Sequence, residues 1–378
     1  MAYTDIDDPT AYFQTKIYTG DGNDNRSITF DGNSNLAVNF LWFKNRGATA
    51  WHNLYDSVRG ANKALASNAT NAEESRSDTL DSFNSNGFTV GNDTSQNPDG
   101  LNTNANGNTY VTWGWKAGTS FTNDASATGI GTIDSTGSVS QEAGFSIISY
   151  TGNGTANQSV AHGLGATPKF IIIRPRSASG YWCVTNPRFV SVSNPNILYL
   201  QLSNGGEADD TNINGTTAPS STVFGVDDYN AVNVNGQTQI AYCFTPIKNY
   251  SSMSTYVGNG NANGTFVYTG FKPAFILRRR ADGAGSWLIQ DNKRDGINRA
   301  VTNSLPTDQN VLRANDSSAE EFNNELDILS NGFKLRATDA FGNASGGTYI
   351  YMAFAENPFV TSTGVPATAR WWLKRNLL

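Results

Sequence analysis

The chain has 378 residues with 38% hydrophobic and 15% charged residues, and its formal net charge is −6 at pH 7. This length exceeds what one hydrophobic core normally serves and predicts two or three domains. The acidic balance argues against nucleic-acid binding, and two cysteines with two histidines are too few for a disulfide framework or a His/Cys metal cluster. Because the chain shows neither a basic N-terminal stretch before an apolar run nor about 18 consecutive apolar residues, we expect no signal peptide and no membrane insertion.

Residues typical of short strands and tight turns run through the whole sequence. The chain has 37 glycines and 11% aromatic residues, a composition that favours β-sheet over helix bundles. Three landmarks recur in the same order: a Tyr-x-Gly-x-Gly turn, a strand that ends in basic residues, and a closing strand. They lie at residues 18–22, 40–46 and 109–115 in the first copy, 150–154, 170–176 and 238–244 in the second, and 256–260, 275–280 and 348–354 in the third.

This recurrence predicts an all-β chain of three tandem antiparallel β-sandwich repeats. We define repeat 1 as residues 1–118, repeat 2 as residues 144–249 and repeat 3 as residues 250–358. Residues 119–143 are small and polar without periodicity, and they predict a low-complexity linker that is extended or flexible. Residues 359–378 form a C-terminal tail that follows the last closing strand.

One stretch of repeat 1 has a spacing that allows a helix. Leu54, Val58, Ala61 and Leu65 recur every three or four positions. This spacing would place them on one face of a short helix within residues 52–66.

The closing strands indicate which side chains form the core. Side chains alternate between the two faces of a strand, and one face of each closing strand carries three bulky residues. The opposite face ends on a small residue, namely Gly114, Cys243 or Ala353. We expect each bulky side chain to stabilise the fold by roughly 1.5–3 kcal/mol when buried. The bulky faces read Val111, Trp113, Trp115; Ile240, Tyr242, Phe244; and Ile350, Met352, Phe354.

Aromatic and basic residues alternate in the C-terminal tail. They are Arg370, Trp371, Trp372, Lys374 and Arg375. Exposed tryptophan and arginine side chains are typical anchors of protein interfaces. The tail is therefore a predicted docking segment, with folding back onto its own chain as the alternative.

Several short motifs are similar to those of a known family. They include Asp-Asp-Pro-Thr-Ala-Tyr-Phe-Gln at 7–14, Trp-Phe-Lys-Asn-Arg at 42–46, Ser-Asn-Gly-Phe at 85–88 and Val-Tyr-Thr-Gly-Phe-Lys-Pro at 267–273. The chain resembles, from residue 5 to about residue 370, a repeat family of virion structural, tail-fibre-like proteins of marine bacteriophages, including cyanophages and pelagiphages. The resemblance implies a protein of the phage particle, assembled in the host cytoplasm, with other virion proteins as partners.

Basic pairs at the ends of the second-landmark strands are the first candidate site. Functionally, they predict a positive ledge for an anionic host glycan or for carboxylates of a neighbouring subunit. The alternative is solvated strand ends that pair locally with Asp or Glu, each pair contributing about 0–1 kcal/mol. The pairs are Lys44 and Arg46, Arg174 and Arg176, and Arg278 and Arg280.

The tryptophans after these strands have two interpretations. Trp51, Trp182 and Trp287 could stack on sugars, but their recurrence inside each repeat favours core packing. Cys243 falls where the other repeats have glycine and alanine, and Cys183 aligns with His52 and Leu288. We expect both cysteines to be buried and inert.

The sequence gives little support for catalysis, so we expect no enzyme, no cofactor and no metal. His162 lies in a glycine turn, and no nucleophile elbow accompanies it. Asp21, Asp24 and Asp31 fit no known calcium-loop spacing. A glycosidase needs two carboxylates across a cleft, whereas the acidic pairs have no common position in the repeats. These pairs are Glu73 and Glu74, Asp209 and Asp210, Asp227 and Asp228, and Glu320 and Glu321.

Three functions remain open from the sequence. The first is a tail-fibre or adhesin component that binds host surface glycan or protein and forms a homo-oligomer, expected to be a trimer. The second is a capsid decoration protein on the phage head. The third is a surface-polysaccharide hydrolase, which predicts a paired-carboxylate cleft in one repeat only.

Overall fold

The computed structural model describes residues 3–94, 100–185, 197–204, 213–294, 310–322 and 326–366. Regular structure in these residues is almost entirely β-strand, and every pair of named strands is antiparallel. The two helices are a 3-10 turn at Pro9–Ala11 and α1 at Ala125–Thr128. Neither is long enough to cross a membrane, and the described residues hold no helix that is. The all-β prediction is confirmed.

Repeat 1 folds into two facing sheets. Its strands are β1 (Phe13–Thr19), β2 (Arg26–Ile28), β3 (Phe40–Asn45), β4 (Asn53–Asp56), β5 (Gly60–Ala66), β6 (Glu74–Ser75), β7 (Leu80–Asn84), β8 (Gly87–Val90) and β9 (Thr109–Trp115). The large sheet has the order β1-β9-β3-β4-β5-β6, and the small sheet has the order β2-β8-β7. The predicted helix within residues 52–66 is wrong, because β4 and β5 occupy this stretch as a hairpin.

Of the two forms predicted for the linker, extended or flexible, the structure has the extended one, because residues 119–143 add two strands to the sheet of repeat 2. The linker contains β10 (Thr119–Asn123), α1 and β11 (Ser135–Ser140). Pairing of β11 with the first strand of repeat 2 satisfies its backbone groups, which low sequence complexity alone did not reveal.

Repeat 2 continues from these two strands. Its strands are β12 (Phe145–Thr151), β13 (Gln158–Ala161), β14 (Phe170–Pro175), β15 (Cys183–Thr185), β16 (Leu198–Tyr199), β17 (Val223–Val226) and β18 (Thr238–Phe244). The large sheet has the order β10-β11-β12-β18-β14-β15-β16, and β13 pairs with β17.

Repeat 3 again has a large and a small sheet. Its strands are β19 (Ser251–Val257), β20 (Phe266–Tyr268), β21 (Phe271–Arg280), β22 (Leu288–Asp291), β23 (Asn310–Arg313), β24 (Glu321–Phe322), β25 (Leu326–Leu329), β26 (Gly332–Leu335) and β27 (Thr348–Pro358). The sheet orders are β19-β27-β21-β22-β23-β24 and β20-β26-β25.

The same pairing recurs in the three large sheets. Each closing strand (β9, β18 or β27) lies between the strand before the glycine turn and the strand that ends in basic residues. Its last bulky residue pairs with the phenylalanine Phe40, Phe170 or Phe275. This common register places Val111, Ile240 and Ile350 at equivalent positions and supports the interpretation as three copies of one module.

A buried asparagine fixes the glycine turn of each repeat. In repeat 1 the Asn104 Oδ1 accepts a hydrogen bond from the Asp21 amide at 3.1 Å, and its Nδ2 donates to the Asn23 carbonyl at 2.9 Å. Asn233 and Asn343 make the equivalent pair of bonds in the other repeats. These asparagines were not among the three landmarks, although each stands five residues before the threonine that opens its closing strand, in a shared Asn-x-Asn/Ser-Gly-x-Thr pattern that could have revealed them.

The bulky faces of the closing strands meet in a core that the three repeats share. The ring of Phe354 lies 5.7 Å from that of Trp115 and 5.9 Å from that of Phe244, so one residue from each closing strand contributes. In repeats 1 and 2 the opposite faces pack against the small sheets in separate cores. The closing strands are thus buried on both faces, and burial of the bulky face requires the neighbouring repeats.

Candidate functional site

Three of the six residues of the predicted basic ledge, Lys44, Arg174 and Arg278, are buried cations. Lys44, Arg174 and Arg279 occupy the same register position, opposite the first bulky residue of the closing strand, and at most 1% of each is exposed. Arg279 therefore takes the place that the sequence assigned to Arg278, because a run of three arginines made the alignment ambiguous by one residue. An exposed glycan-binding ledge at Lys44, Arg174 and Arg278 is wrong, since all three side chains are buried.

Lys44 connects repeat 1 to repeat 3. Its Nζ donates to the carbonyl oxygens of Ala50 at 2.8 Å and Ser317 at 3.0 Å. Burial lowers the pKa of Lys44 to about 8, although the carboxylates of Asp316 and Glu320 favour its charged form.

Arg174 connects repeat 2 to repeat 1 in the same way. Its guanidinium donates to the carbonyl oxygens of Ala69, at 2.8 Å, and Asn71, and it lies 4.8 Å from the ring centre of Trp182. Burial lowers the pKa of Arg174 to about 9. Backbone dipoles and the face of an aromatic ring thus take the place of a carboxylate partner.

Arg279 connects repeat 3 to repeat 2. Its guanidinium donates to the Tyr199 carbonyl at 2.8 Å and lies 5.3 Å from the ring centre of Trp287, whose Nε1 donates to the same carbonyl. Burial lowers the pKa of Arg279 to about 10. The three cations together link each repeat to the next in a closed ring.

A chain of buried ion pairs reinforces the contact between repeats 1 and 2. The Arg59 Nε lies 2.5 Å from Asp56 Oδ2, an oxygen that also accepts a hydrogen bond from the Tyr242 hydroxyl at 2.7 Å. Glu73 then bridges Arg59, at 3.2 Å, and Arg176, at 3.0 Å. The side chains of Asp56 and Arg59 are fully buried.

An equivalent chain reinforces the contact between repeats 1 and 3. The Asp291 carboxylate accepts from Trp113 Nε1 at 3.0 Å and pairs with Arg294 at 2.6 Å. Glu320 bridges Arg294, at 2.8 Å, and Arg46, at 2.7 Å. The partners of Arg46 and Arg176 are thus carboxylates of a neighbouring repeat in the same chain.

The remaining members of the basic pairs have local partners. The Arg278 Nε donates a hydrogen bond to the Gln290 Oε1 at 3.3 Å. Arg280 pairs at 2.8 Å with Asp282 near the surface, as the local-pairing alternative predicted. The predicted docking-tail residues lie outside the described residues.

The strand register also corrects the tryptophan alignment. Trp182 and Trp287 correspond to His52, not to Trp51, because each lies one residue before the first residue of its strand that pairs with the second-landmark strand. Trp182 and Trp287 are fully buried, so the prediction of core packing is confirmed for them and sugar stacking is excluded. The His52 Nδ1 accepts from Trp42 Nε1 at 2.9 Å, and burial holds the pKa of His52 well below its usual value.

The other titratable candidates have structural surroundings. Cys183 and Cys243 are buried, and burial raises the pKa of the Cys243 thiol. Burial lowers the pKa of His162 to about 4, and its Nδ1 accepts from the Leu164 amide at 3.2 Å. Among the described residues no group of His, Cys, Asp and Glu could hold a metal ion.

A cleft of about 260 Å³ lies between repeats 1 and 3. Its repeat 3 wall is an extension that the other repeats lack: β21 begins at Phe271, before Phe275, and β27 continues to Pro358, past Phe354. The extended pair contains register shifts on both sides of Pro273, a β-bulge of the kind often found beside binding sites. Polar residues around the cleft are Thr15, Asp31, Asn33, Asn292, Lys293 and Asn357.

The repeat 1 rim of the cleft is held rigidly. Gln14 bridges the turn, accepting from the Gly32 amide at 2.7 Å and donating to the Thr10 and Ser34 carbonyls at 2.8 Å each. The Ser34 hydroxyl donates to Asp8 at 2.6 Å. A Cβ on Gly32 would lie 2.6 Å from Gln14, so the tight approach requires glycine.

Charges around the cleft are compensated by their neighbours. Asp31 lies 3.2 Å from Lys16 and 3.4 Å from Lys293, and Glu356 lies 2.6 Å from Lys272. Asp31 fits no calcium-loop spacing, and its two ammonium neighbours also make it a poor calcium ligand. The arrangement offers hydrogen-bond donors and acceptors with little net charge.

Comparison with known proteins gave one match. The family model DUF7483, described as a domain of unknown function, matches residues 8–358. Neither the curated proteins nor the solved structures contain a match to the chain. One family model therefore spans all three repeats and the connecting strands, whereas the resemblance to marine phage proteins stays a prediction.

Proposed function

We propose that this chain, which belongs to the DUF7483 family, is a non-enzymatic structural protein of a bacteriophage particle that serves as a tail-fibre or adhesin component. The observation that carries the proposal is the use of charged groups as links between repeats. Lys44, Arg174 and Arg279 are buried against backbone carbonyls of the next repeat, where they hold the sheets together.

Such an arrangement suits a protein that must stay folded outside the cell. Its closing strands are buried on both faces, and each repeat contacts the other two through buried polar links. Breaking one buried charged link is costly because it leaves an uncompensated group in a medium of low polarity. The ring resists local opening for this reason.

The cleft favours a host-binding role over a purely structural role on the phage head. A decoration protein needs a surface facing the capsid, whereas an adhesin needs a concave site with fixed polar groups. The bulged extension of β21 and β27 builds such a site in one of the three interfaces.

The third candidate function, a polysaccharide hydrolase, needs a test because two carboxylates, Asp31 and Glu356, border the cleft. A glycosidase needs one carboxyl group that is protonated before the reaction. Burial raises the pKa of Asp31, but the hydrogen bond and charge of Lys16 and the charge of Lys293 outweigh burial and lower it. Asp31 is thus an acceptor, not a proton donor.

Gold-labelled antibody against the purified protein, applied to intact particles and viewed by electron microscopy, tests the proposal. We expect label at the tail, in a small copy number that fits a trimer. Label spread over the head would support the decoration alternative, and particles without label would refute a virion role. Incubation with host polysaccharide should yield no new reducing ends.

A further inference from the structure

We infer that the cleft between repeats 1 and 3 is a binding site for a neutral saccharide. The inference deepens the adhesin proposal and rests on it for the biological role of the site. The cleft joins fixed polar groups from two repeats, with the side chains of Ala274 and Ala355 contributing apolar surface.

Unused hydrogen-bonding groups point to a ligand. The Thr15 hydroxyl is buried, with the residue 4% exposed, and has no hydrogen-bond partner within the described part of the chain. A buried hydroxyl without a partner is unfavourable in the free protein. The oxygen itself is covered, so a ligand hydroxyl in the cleft would satisfy it once the side chains over it shift.

Three carboxamides around the cleft add both donors and acceptors. The structure gives the side chains of Asn33, Asn292 and Asn357 no hydrogen bonds to the described residues, and each carboxamide offers two N–H donors and one acceptor oxygen. Vicinal sugar hydroxyls each donate and accept, which matches this mixture. A cleft of about 260 Å³ is below the usual range of about 300–1,000 Å³ for drug-sized ligands and suits one sugar unit.

Charge compensation favours a neutral sugar over an anionic one. The carboxylates of Asp31 and Glu356 face the cleft, and each already has a lysine within 3.4 Å. An added anion would lie beside two carboxylates without a free cation. A neutral sugar can accept from Lys293 and donate to Asp31 without displacing the ion pairs.

The rigid rim reduces the cost of binding. The turn that carries Asn33 is fixed by Gln14 and Ser34 before any ligand arrives. Preorganised polar groups lose little conformational freedom on binding, so even a small ligand can gain affinity from them. This rim is part of repeat 1, and the bulged wall is part of repeat 3.

The test is titration calorimetry and saturation-transfer NMR of the full chain with glucose, galactose, mannose and N-acetylglucosamine. Glucuronate and inorganic phosphate serve as anionic probes. We expect at least one neutral sugar to bind. Thr15→Val should lower the affinity for that sugar by about tenfold, because one hydrogen bond to the ligand is lost, while the melting temperature stays unchanged or rises. The double variant Asn33→Ala/Asn357→Ala should lower the affinity for the sugar further.

Asn35→Ala is the matched control, because Asn35 is exposed on the same segment and does not border the cleft. Its binding should equal that of the unmodified protein. Binding unaffected by either cleft variant, binding of the anionic probes alone, or no binding by any probe would overturn the inference. Sugar binding together with new reducing ends from host polysaccharide would support the saccharide site and contradict the non-enzymatic function. Sugar binding by the purified protein, combined with particles that carry no antibody label, would support the saccharide site and refute the virion proposal.

Discussion

Replacement of Arg59 by methionine tests the buried ion-pair chain between repeats 1 and 2. The Arg59 side chain is fully buried and donates to Asp56 and to the carbonyls of Leu54 and Lys63, each of these at 2.8 Å. Methionine fills similar volume but leaves the Asp56 carboxylate buried without a cation. Removal of one member of a buried pair typically costs about 3–5 kcal/mol, and we expect this loss in the free energy of unfolding.

Urea unfolding followed by tryptophan fluorescence measures this loss. Arg294→Met changes the equivalent residue at the other interface and should cost a similar amount. Arg76→Met is the surface control, because Arg76 pairs with the partly exposed Glu74 and should contribute no more than about 1 kcal/mol. The double variant Asp56→Asn/Arg59→Met should regain part of the loss, since the buried charge is gone. A cost for Arg59→Met no greater than that of Arg76→Met would refute the role of this chain.

Three further predictions use other features. Gly20→Ala places a Cβ 2.3 Å from a backbone carbonyl oxygen and should lower stability in urea unfolding by about 1–3 kcal/mol, whereas Gly47→Ala, with its nearest contact at 3.8 Å, should change little. The pKa of His162 is lowered from 6.5 to about 4. Between these two values the unfolded chain binds a proton at this residue that the folded chain does not bind, so stability falls as the pH drops from 6.5 to about 4. His162→Gln should remove about 3 kcal/mol of that pH dependence, measured as the difference from the unmodified protein; parallel pH curves would contradict this. Cys183 and Cys243 should react with a thiol reagent only after unfolding, and rapid reaction in the folded protein would contradict their burial.

Patterns that depend on the strand itself could be predicted from the sequence. The alternation in the closing strands placed Trp115 and Phe244 on the bulky face, and the structure buries both. Period-two patterning is a local property, so it remains visible without knowledge of the partners. The bulky face of each closing strand was predicted correctly, but the core in which it packs is formed by all three repeats.

Contacts between distant segments could not be predicted. Lys44 was expected at a solvated strand end because a lysine is rarely buried without a carboxylate. Its partner is the carbonyl of Ser317, in another repeat. The sequence around Lys44 cannot predict which backbone carbonyl will lie beside it. Similarly, Glu73 and Glu320 had no common position in our alignment, although both bridge arginines between repeats.

The cleft was invisible to sequence reasoning for a related reason. It arises where the extended ends of β21 and β27 face the turn at residues 31–33 of repeat 1. Asp31 was noticed as an acidic loop residue, but nothing in the sequence places Asn357 beside it. Only the closure of the ring brings the turn at residues 31–33 and the end of β27 together.

Native-state hydrogen exchange tests most directly whether the three repeats form one unit around a shared core. The amides of the closing strands, which include those of Val111, Ile240 and Ile350, are the ones to follow. We expect all three strands to exchange with the same free energy, equal to that of global unfolding, because the bulky face of each is buried against the others. Three distinct free energies, one for each repeat, would show that the repeats open independently and would contradict the account.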